Sequence, residues 1–343
     1  MIDLRSDTIT LPTEEMRRAM YRAEVGDAAR GEDPTVRRLE DLAAEKMGKE
    51  AALFVTSGTQ GNLVCLMTHA NPGDEVIFDE ECHAYYFEAG GFARVAGLSP
   101  RLVKSKYGFM EPQDIEAVIR PPSSNYPKTR LLVIENTHNR GGGNAISLEQ
   151  MAAMSDVARK HGLSVHLDGA RLFNAALALG VEAKDIAAYA DSVQFCLSKG
   201  LSAPVGSVVV GSQEFIQGAA RARKVLGGDL RQSGVLAAAG IVALEKMVDR
   251  LAEDHHTAKL LSESLREIPQ LIVDSPPNPT NMIFVETSNL GISGAEFAER
   301  LKEHGVLVAV YGKHRVRMVT HRHIEPGMIA GIVEAVRSVV NSL

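Results

Sequence analysis

The sequence predicts an α/β protein with a largely parallel sheet. Two observations carry this. Short runs rich in Val, Ile and Leu recur with little polar alternation, as in strands covered on both faces. Amphipathic helical patterns separate these runs over about 200 residues, which is strand–helix alternation and not a bundle or a sandwich. Length agrees: 343 residues with 45% hydrophobic and 23% charged side chains can bury a core without disulfide or metal staples.

The elements follow in order. A first helix starts at Pro34 behind Asp33 as its cap and sets Val36, Leu39, Leu42, Ala43 and Met47 on one stripe. Strands are expected in AALFVTSG from Ala51, DEVIFDE from Asp74, TRLLVIENTH from Thr129, LSVHLDGAR from Leu163, SVQFCLSKG from Ser192 and GSVVVG from Gly206. Helices are expected near 60–70, 112–119, 148–161 and 213–223. A long helical pattern runs from Ser233 to Glu267, and SPPNPTN breaks the chain at Ser275–Asn281. NMIFVET, a helix near 294–304, VLVAV, RVRMVTH and a helix near 328–341 then read as a smaller α+β unit. The expected division is a large domain at 1–245, whose N-terminal segment contributes to the active site, and a small domain at 246–343.

Composition excludes several functions. Thirty-seven Lys+Arg against 43 Asp+Glu give a net charge of −6, opposite to a non-specific nucleic-acid binder. There is no Trp, and aromatics are 5%, too few for a base- or sugar-stacking surface. Asp3, Arg5 and Asp7 interrupt any secretory signal. The longest apolar stretch, Val235–Leu244, is far shorter than the ~20 residues of a membrane span. Three scattered cysteines without a CxxC pair point to buried thiols in a reducing cytoplasm. No phosphate-loop or dinucleotide glycine motif is present, and no H-E-x-x-H. The pairs His255-His256 and His321-x-His323 fall outside the α/β core and are expected at the surface, so no metal is expected.

Four positions carry possible chemistry. Asp168 ends one buried strand, and Lys199 follows another, one strand–helix–strand unit later. In a parallel sheet such C-terminal strand ends face the ligand crevice. An acid and an amine there suit pyridoxal phosphate: the amine forms a Schiff base, and the acid keeps the pyridine nitrogen protonated. Ser57-Gly58-Thr59 joins a strand to a helix and can offer backbone N–H groups to a phosphate. His83 precedes a helix and could stack on a cofactor ring or move a proton. Read singly, each has a plainer meaning: Asp168 a turn cap, Lys199 a snorkelling amine, Ser57–Thr59 an ordinary turn, His83 a polar surface group.

Together the segments DLRSDT, VGD…GEDPT, FVTSGTQGN, IENTHNRGGG, HLDGAR, CLSKGLSAPVGS and RQSGVLAAAG resemble the threonine aldolase family. The resemblance covers nearly the whole chain. It implies the aspartate-aminotransferase-like fold (fold type I of pyridoxal-phosphate enzymes), with a mostly parallel seven-stranded sheet. It implies that Lys199 is the Schiff-base lysine, Asp168 the partner of the ring nitrogen, and His83 the group stacked on the ring. Gly58 and Thr59 match the phosphate loop. Ser6, Arg171 and Arg315 match groups around the substrate carboxylate, with Arg171 also beside the cofactor. Strand alternation puts Arg315 and Arg317 on one face, and Arg315 is taken from the segment match. Lys224 and Arg231 match residues that reach a neighbouring subunit's cofactor, and the family is typically a homotetramer with sites at a dimer interface. The implied reaction is cleavage of L-threonine or L-allo-threonine to glycine and acetaldehyde, with His83 as candidate base. A dehydratase, a racemase, a phenylserine-type aldolase or a transferase adding an aldehyde to glycine would share Lys199, Asp168 and the phosphate loop. Two departures stand out. Arg30 occupies the place of a common Tyr, and Asn125 that of a second active-site His. These predict an altered pocket for the β-hydroxyl and β-substituent.

Overall fold

The computed structural model describes residues 1–343. Its main sheet has seven strands: β1 (Ala51–Val55), β2 (Glu75–Asp79), β3 (Ser99–Val103), β4 (Thr129–Glu135), β5 (Ser164–Asp168), β6 (Ser192–Cys196) and β7 (Ser207–Gly211). Their order is β1-β7-β6-β5-β4-β2-β3. All neighbours are parallel except β7, which runs antiparallel to β1 and β6. The sequence reading missed β3. This edge strand reads SPRLV, with a Pro and mostly exposed side chains, and so lacks the apolar signature of a covered strand.

Ten helices matter here: α1 (Glu14–Tyr21), α2 (Pro34–Met47), α3 (Gly58–His69), α4 (His83–Tyr86), α5 (Leu148–Lys160), α6 (Gln213–Val225), α7 (Gly234–Val242), α8 (Leu251–Arg266), α9 (Gly294–Glu303) and α10 (Ile329–Asn341). As expected, Asp33 caps α2, accepting from the N–H groups of Thr35 and Val36. Val36, Leu39, Ala43 and Met47 enter the largest core, while Leu42 packs at its edge. The long pattern from Ser233 is not one helix. It is α7, a wider turn at Ala243–Met247, and then α8.

A second sheet, β8 (Ile272–Val273), β9 (Met282–Glu286), β10 (Ala309–Val310) and β11 (Arg315–Val319), has the order β8-β9-β11-β10 and is antiparallel throughout. It packs with α8, α9 and α10 around a separate core. The first core extends to Leu251 and the second takes up α8 at Ala258, so the changeover lies later than residue 245. The N-terminus also belongs with the small unit. Ile2 and Asp3 pair in parallel with Val306 and Leu307, and Leu4 joins the second core. All three cysteines are free and buried. His321, expected at the surface, is buried, with Nε2 at 2.9 Å from the Asp3 carbonyl; the N-terminal strand covers it. His255 is half-buried on Asn174, and His256 is exposed. No helix is long and apolar enough to cross a membrane.

Candidate active site

β5 and β6 lie side by side, with His166 opposite Ser192 and Asp168 opposite Gln194. Alternation puts these four polar side chains on one face, where Asn62 of α3 meets them. Asp168 is buried, at 1% exposure. Its Oδ2 accepts from Asn62 Nδ2 at 2.7 Å, and its Oδ1 from Gln194 Nε2 at 2.7 Å and the Ala170 N–H at 3.1 Å. Burial pushes this carboxyl up. The charges of His83 and Lys199 and the two amide donors outweigh it, so its pKa falls below the ordinary value.

Lys199 follows β6 and is half-buried. Its carbonyl accepts from Thr10 Oγ1 at 2.7 Å, its ammonium makes no ion pair, and its charge acts on both Asp168 and Asp7. Gly200 packs closely on α8: a Cβ there would meet Leu251 Cδ2 at 2.7 Å and force that side chain to shift. Gly58 opens α3 behind the Ser57 cap, whose Oγ accepts from the Gln60 N–H at 3.1 Å. The first N–H groups of α3, at Gly58 and Thr59, have no intrahelical acceptor. A Cβ on Gly58 would lie 2.8 Å from Cys196 Sγ, so the helix start is pressed against the end of β6.

His83 opens α4. Its backbone N–H donates to Glu135 Oε2 at 2.5 Å, and Nδ1 meets Glu88 Oε1 at 2.8 Å. Glu88 is buried and also accepts from Asn62 Nδ2 at 2.8 Å. A carboxylate facing Nδ1 fixes the proton there and leaves Nε2 as the free ring nitrogen. Burial lowers the pKa of His83, but Glu88, Asp168 and Glu135 outweigh it and the net shift is upward. Burial and the Asp168 charge raise Glu88 in turn.

The other side of the site is a cationic rim. Arg171 Nε and Nη2 donate to the two oxygens of Asp7 at 2.7 and 2.6 Å, and both residues are buried. Arg317, on β11, donates to Asn139 Oδ1 at 2.6 Å, Tyr311 Oη at 2.7 Å and the Arg5 carbonyl at 2.9 Å. Its Nε is buried without a partner. Burial and the nearby Arg171 both disfavour its charge. Ser6 stands beside Asp7 and caps the Asp7–Ile9 turn through the Thr8 N–H. Arg315, the arginine chosen from the segment match, stands apart from this rim. Arg315 is pinned to Asp274 Oδ2 at 2.9 Å and stacks on Phe284. It sits two residues nearer the strand start than Arg317, whose charge is felt by Asp7.

The remaining expected residues do not join this site within one chain. Asn125 is exposed in the loop before β4. That strand runs toward the site, so Asn125 lies about 20 Å away at its opposite end. Arg30 is exposed and pairs with Asp27 at 3.6 Å, which also receives Arg231 at 3.3 Å. Lys224 is exposed on Asp229 at 2.9 Å. Residues that sequence reasoning passed over are Asn62, Glu88, Glu135, Gln194 and Asp7, while Arg317 was weighed and set behind Arg315. Polar residues at every second position in SVHLD and SVQFC, and the Asp in DLRSDT, were the signals available.

A sheet of this order with an acid and a lysine at adjacent strand ends, and a helix start beside them, defines the aspartate-aminotransferase-like class. Solved structures agree on the fold. A threonine aldolase from Leishmania major superposes with a TM-score of 0.85 over 99% of this chain and 100% of its own, at 19% identity. A putative L-allo-threonine aldolase from Listeria monocytogenes gives 0.80 over 100% and 96%, at 21% identity. The beta-eliminating lyase family model matches residues 3–288. Low-specificity L-threonine aldolase 1 of Arabidopsis thaliana is 48% identical over 94% of this chain and 92% of its own. The low specificity L-threonine aldolase of Escherichia coli K12 is 44% identical over 97% of both chains. The chain therefore belongs to the beta-eliminating lyase family, in its threonine aldolase branch.

Proposed function

We propose that the protein is a pyridoxal-phosphate-dependent aldolase that cleaves L-threonine and L-allo-threonine, reversibly, to glycine and acetaldehyde. The observation that carries this is the unpaired Lys199 amine next to the buried, ionised Asp168, in a chain 44–48% identical to proteins named for that activity. The residues present fit the cofactor. Gly58 and Thr59 would receive the phosphate, Lys199 the aldehyde carbon, and Asp168 the ring nitrogen, with His83 beside the ring. When bound, pyridoxal phosphate supplies a sink for the electron pair released as the Cα–Cβ bond breaks.

The chain's own groups do the rest. Arg317 and Arg171 bind the amino-acid carboxylate: Arg171 is matched by Asp7, but the buried Arg317 has no carboxylate partner and gains from an anion. That grip sets which bond at Cα stands ready to break. His83 Nε2 takes the β-hydroxyl proton, with Nδ1–H held by Glu88. The agreement of named relatives gives no support to a dehydratase or racemase. The test is product analysis on both substrates. Acetaldehyde and glycine in equal amounts are expected; a keto acid with ammonia, or the mirror-image amino acid, overturns the reading. Lys199→Ala should abolish both cleavage and borohydride-sensitive visible absorption.

Lys224 and Arg231, exposed and away from the site of their own chain, support an assembly in which a second copy completes each site, as in a homotetramer. Mixing inactive Lys199→Ala with inactive Arg231→Ala subunits should then restore activity. The three buried thiols and the absence of a disulfide suit a reducing compartment, which we take to be the cytoplasm.

A further inference from the structure

Behind Asp168 runs a chain of hydrogen bonds in which every proton position follows from the one before. Asp168 Oδ2 and Glu88 Oε1 both lie within 2.8 Å of Asn62 Nδ2. Two carboxylates on one atom require it to be the amide nitrogen. Asn62 Oδ1 therefore points the other way, 3.1 Å from His166 Nε2, and that ring nitrogen must carry the proton. His166 Nδ1 is then a lone pair, and Ser192 Oγ at 2.9 Å must donate to it. The Ser192 oxygen in turn accepts from His69 Nε2 at 2.7 Å. His69 stacks on Phe215 with ring centroids 4.4 Å apart, which holds its plane.

All donors thus point toward Asp168, and no cation takes part. Burial keeps both imidazoles neutral, holding His69 at about 3 and His166 at about 4. The titratable groups around the chain are Asp168 and His69 facing His166, Glu88 facing Asn62, Cys65 beside Ser192, and His83 and Lys199 facing Asp168. Three elements supply the chain at fixed spacings: Asn62 and His69 two turns apart on α3, His166 and Asp168 on β5, Ser192 on β6.

We propose that His166, backed by Ser192 and His69, is a positioning residue that locks the Asn62 amide and so fixes the orientation and ionisation of Asp168. This rests on the reading above that Asp168 meets the ring nitrogen. Without the His166 donor, Asn62 Oδ1 is left buried without a partner, so the amide is held only by the two carboxylates it serves and its aim at Asp168 loosens.

The test compares wild type with His166→Leu and His166→Gln, whose amide can still donate to Asn62. The readouts are the dissociation constant of pyridoxal phosphate and the pH midpoint of its visible band in the holoenzyme. His166→Leu should bind about tenfold more weakly and shift the midpoint; His166→Gln should recover most of both. A His166→Leu protein with wild-type affinity and spectrum overturns the proposal alone. Wild type that takes up no pyridoxal phosphate overturns the functional reading and the proposal together. Neutron diffraction of the wild-type protein needs no variant to fold: deuterium on Nε2 of both His166 and His69 is expected, and deuterium on Nδ1 of His166 overturns it.

Discussion

Asp168, on the floor of the site, is an anion held by neutral amides, whereas Arg171 and Arg317, at its rim, are buried cations of which only Arg171 has a carboxylate partner, Asp7. The floor is nearly satisfied by the chain itself: Asn62, Gln194 and a backbone N–H take three of the roughly four acceptor sites on the Asp168 oxygens and leave room for one more donor. The rim is not, since Arg317 Nε has no partner. The difference separates two tasks. A group held in place by several fixed donors is suited to keep a permanent occupant in one electronic state. A charge-frustrated pair is suited to capture and release an anion at each turnover.

The contrast is broken most directly at Arg317. Arg317→Ala should lower kcat/KM by a hundredfold or more, about 3 kcal/mol, while Arg315→Ala changes it only a few-fold. Steady-state kinetics on threonine settles this, and the reverse ranking would move the carboxylate site. Next comes Asp7→Asn, which strands the buried Arg171 cation and should cost about 3 kcal/mol of stability by denaturant titration. Its pH dependence has a definite sign. Burial raises the Asp7 pKa, but Arg171, Lys199 and Arg317 outweigh it and hold the carboxyl far below its usual range. A depressed folded pKa stabilises above the unfolded value, about 3.9, and that contribution drains away as pH falls. The wild type should therefore lose stability below about pH 4 more steeply than the variant.

Glu88→Gln is a finer probe of the floor. Glu88 helps to raise the His83 pKa, so its loss should move the acid limb of the activity profile to lower pH. The thermal midpoint should change little. An unmoved limb would detach Glu88 from the base. The smallest effect on stability is expected at Arg231→Ala, whatever it does to activity: an exposed pair with Asp27 is worth less than about 0.5 kcal/mol. If melting of the isolated chain changes more than that, the cluster is structural, not a contribution to another subunit.

Much of the floor was legible because the sheet writes it out. A charged residue closing an apolar run marks Asp168 and Lys199, and polar residues two apart mark His166, Ser192 and Gln194. The position of Asn125 could also have been read: in a parallel strand whose end reaches the site, residues before its start lie at the far end. The rim had no such grammar. Arg315 and Arg317 share a strand face, and only the packing of β11 against Asp274 and Asn139 distinguishes them. Asp7 lies in a short polar stretch without periodicity. Edge strand β3 failed for another reason: solvent, not the core, covers most of its side chains.

The pairing of Ile2 and Asp3 with Val306 and Leu307 bears on the order in which the molecule is made. Residues up to Gly211 contain the whole floor, so a nascent chain released from the exit tunnel at that length already holds every donor around Asp168. The rim joins the first residues to nearly the last: the Arg5 carbonyl meets Arg317 only after β11 has emerged. During synthesis the N-terminal strand has no partner for some three hundred residues, and a ribosome-bound intermediate would own a cofactor floor before it owned a substrate grip.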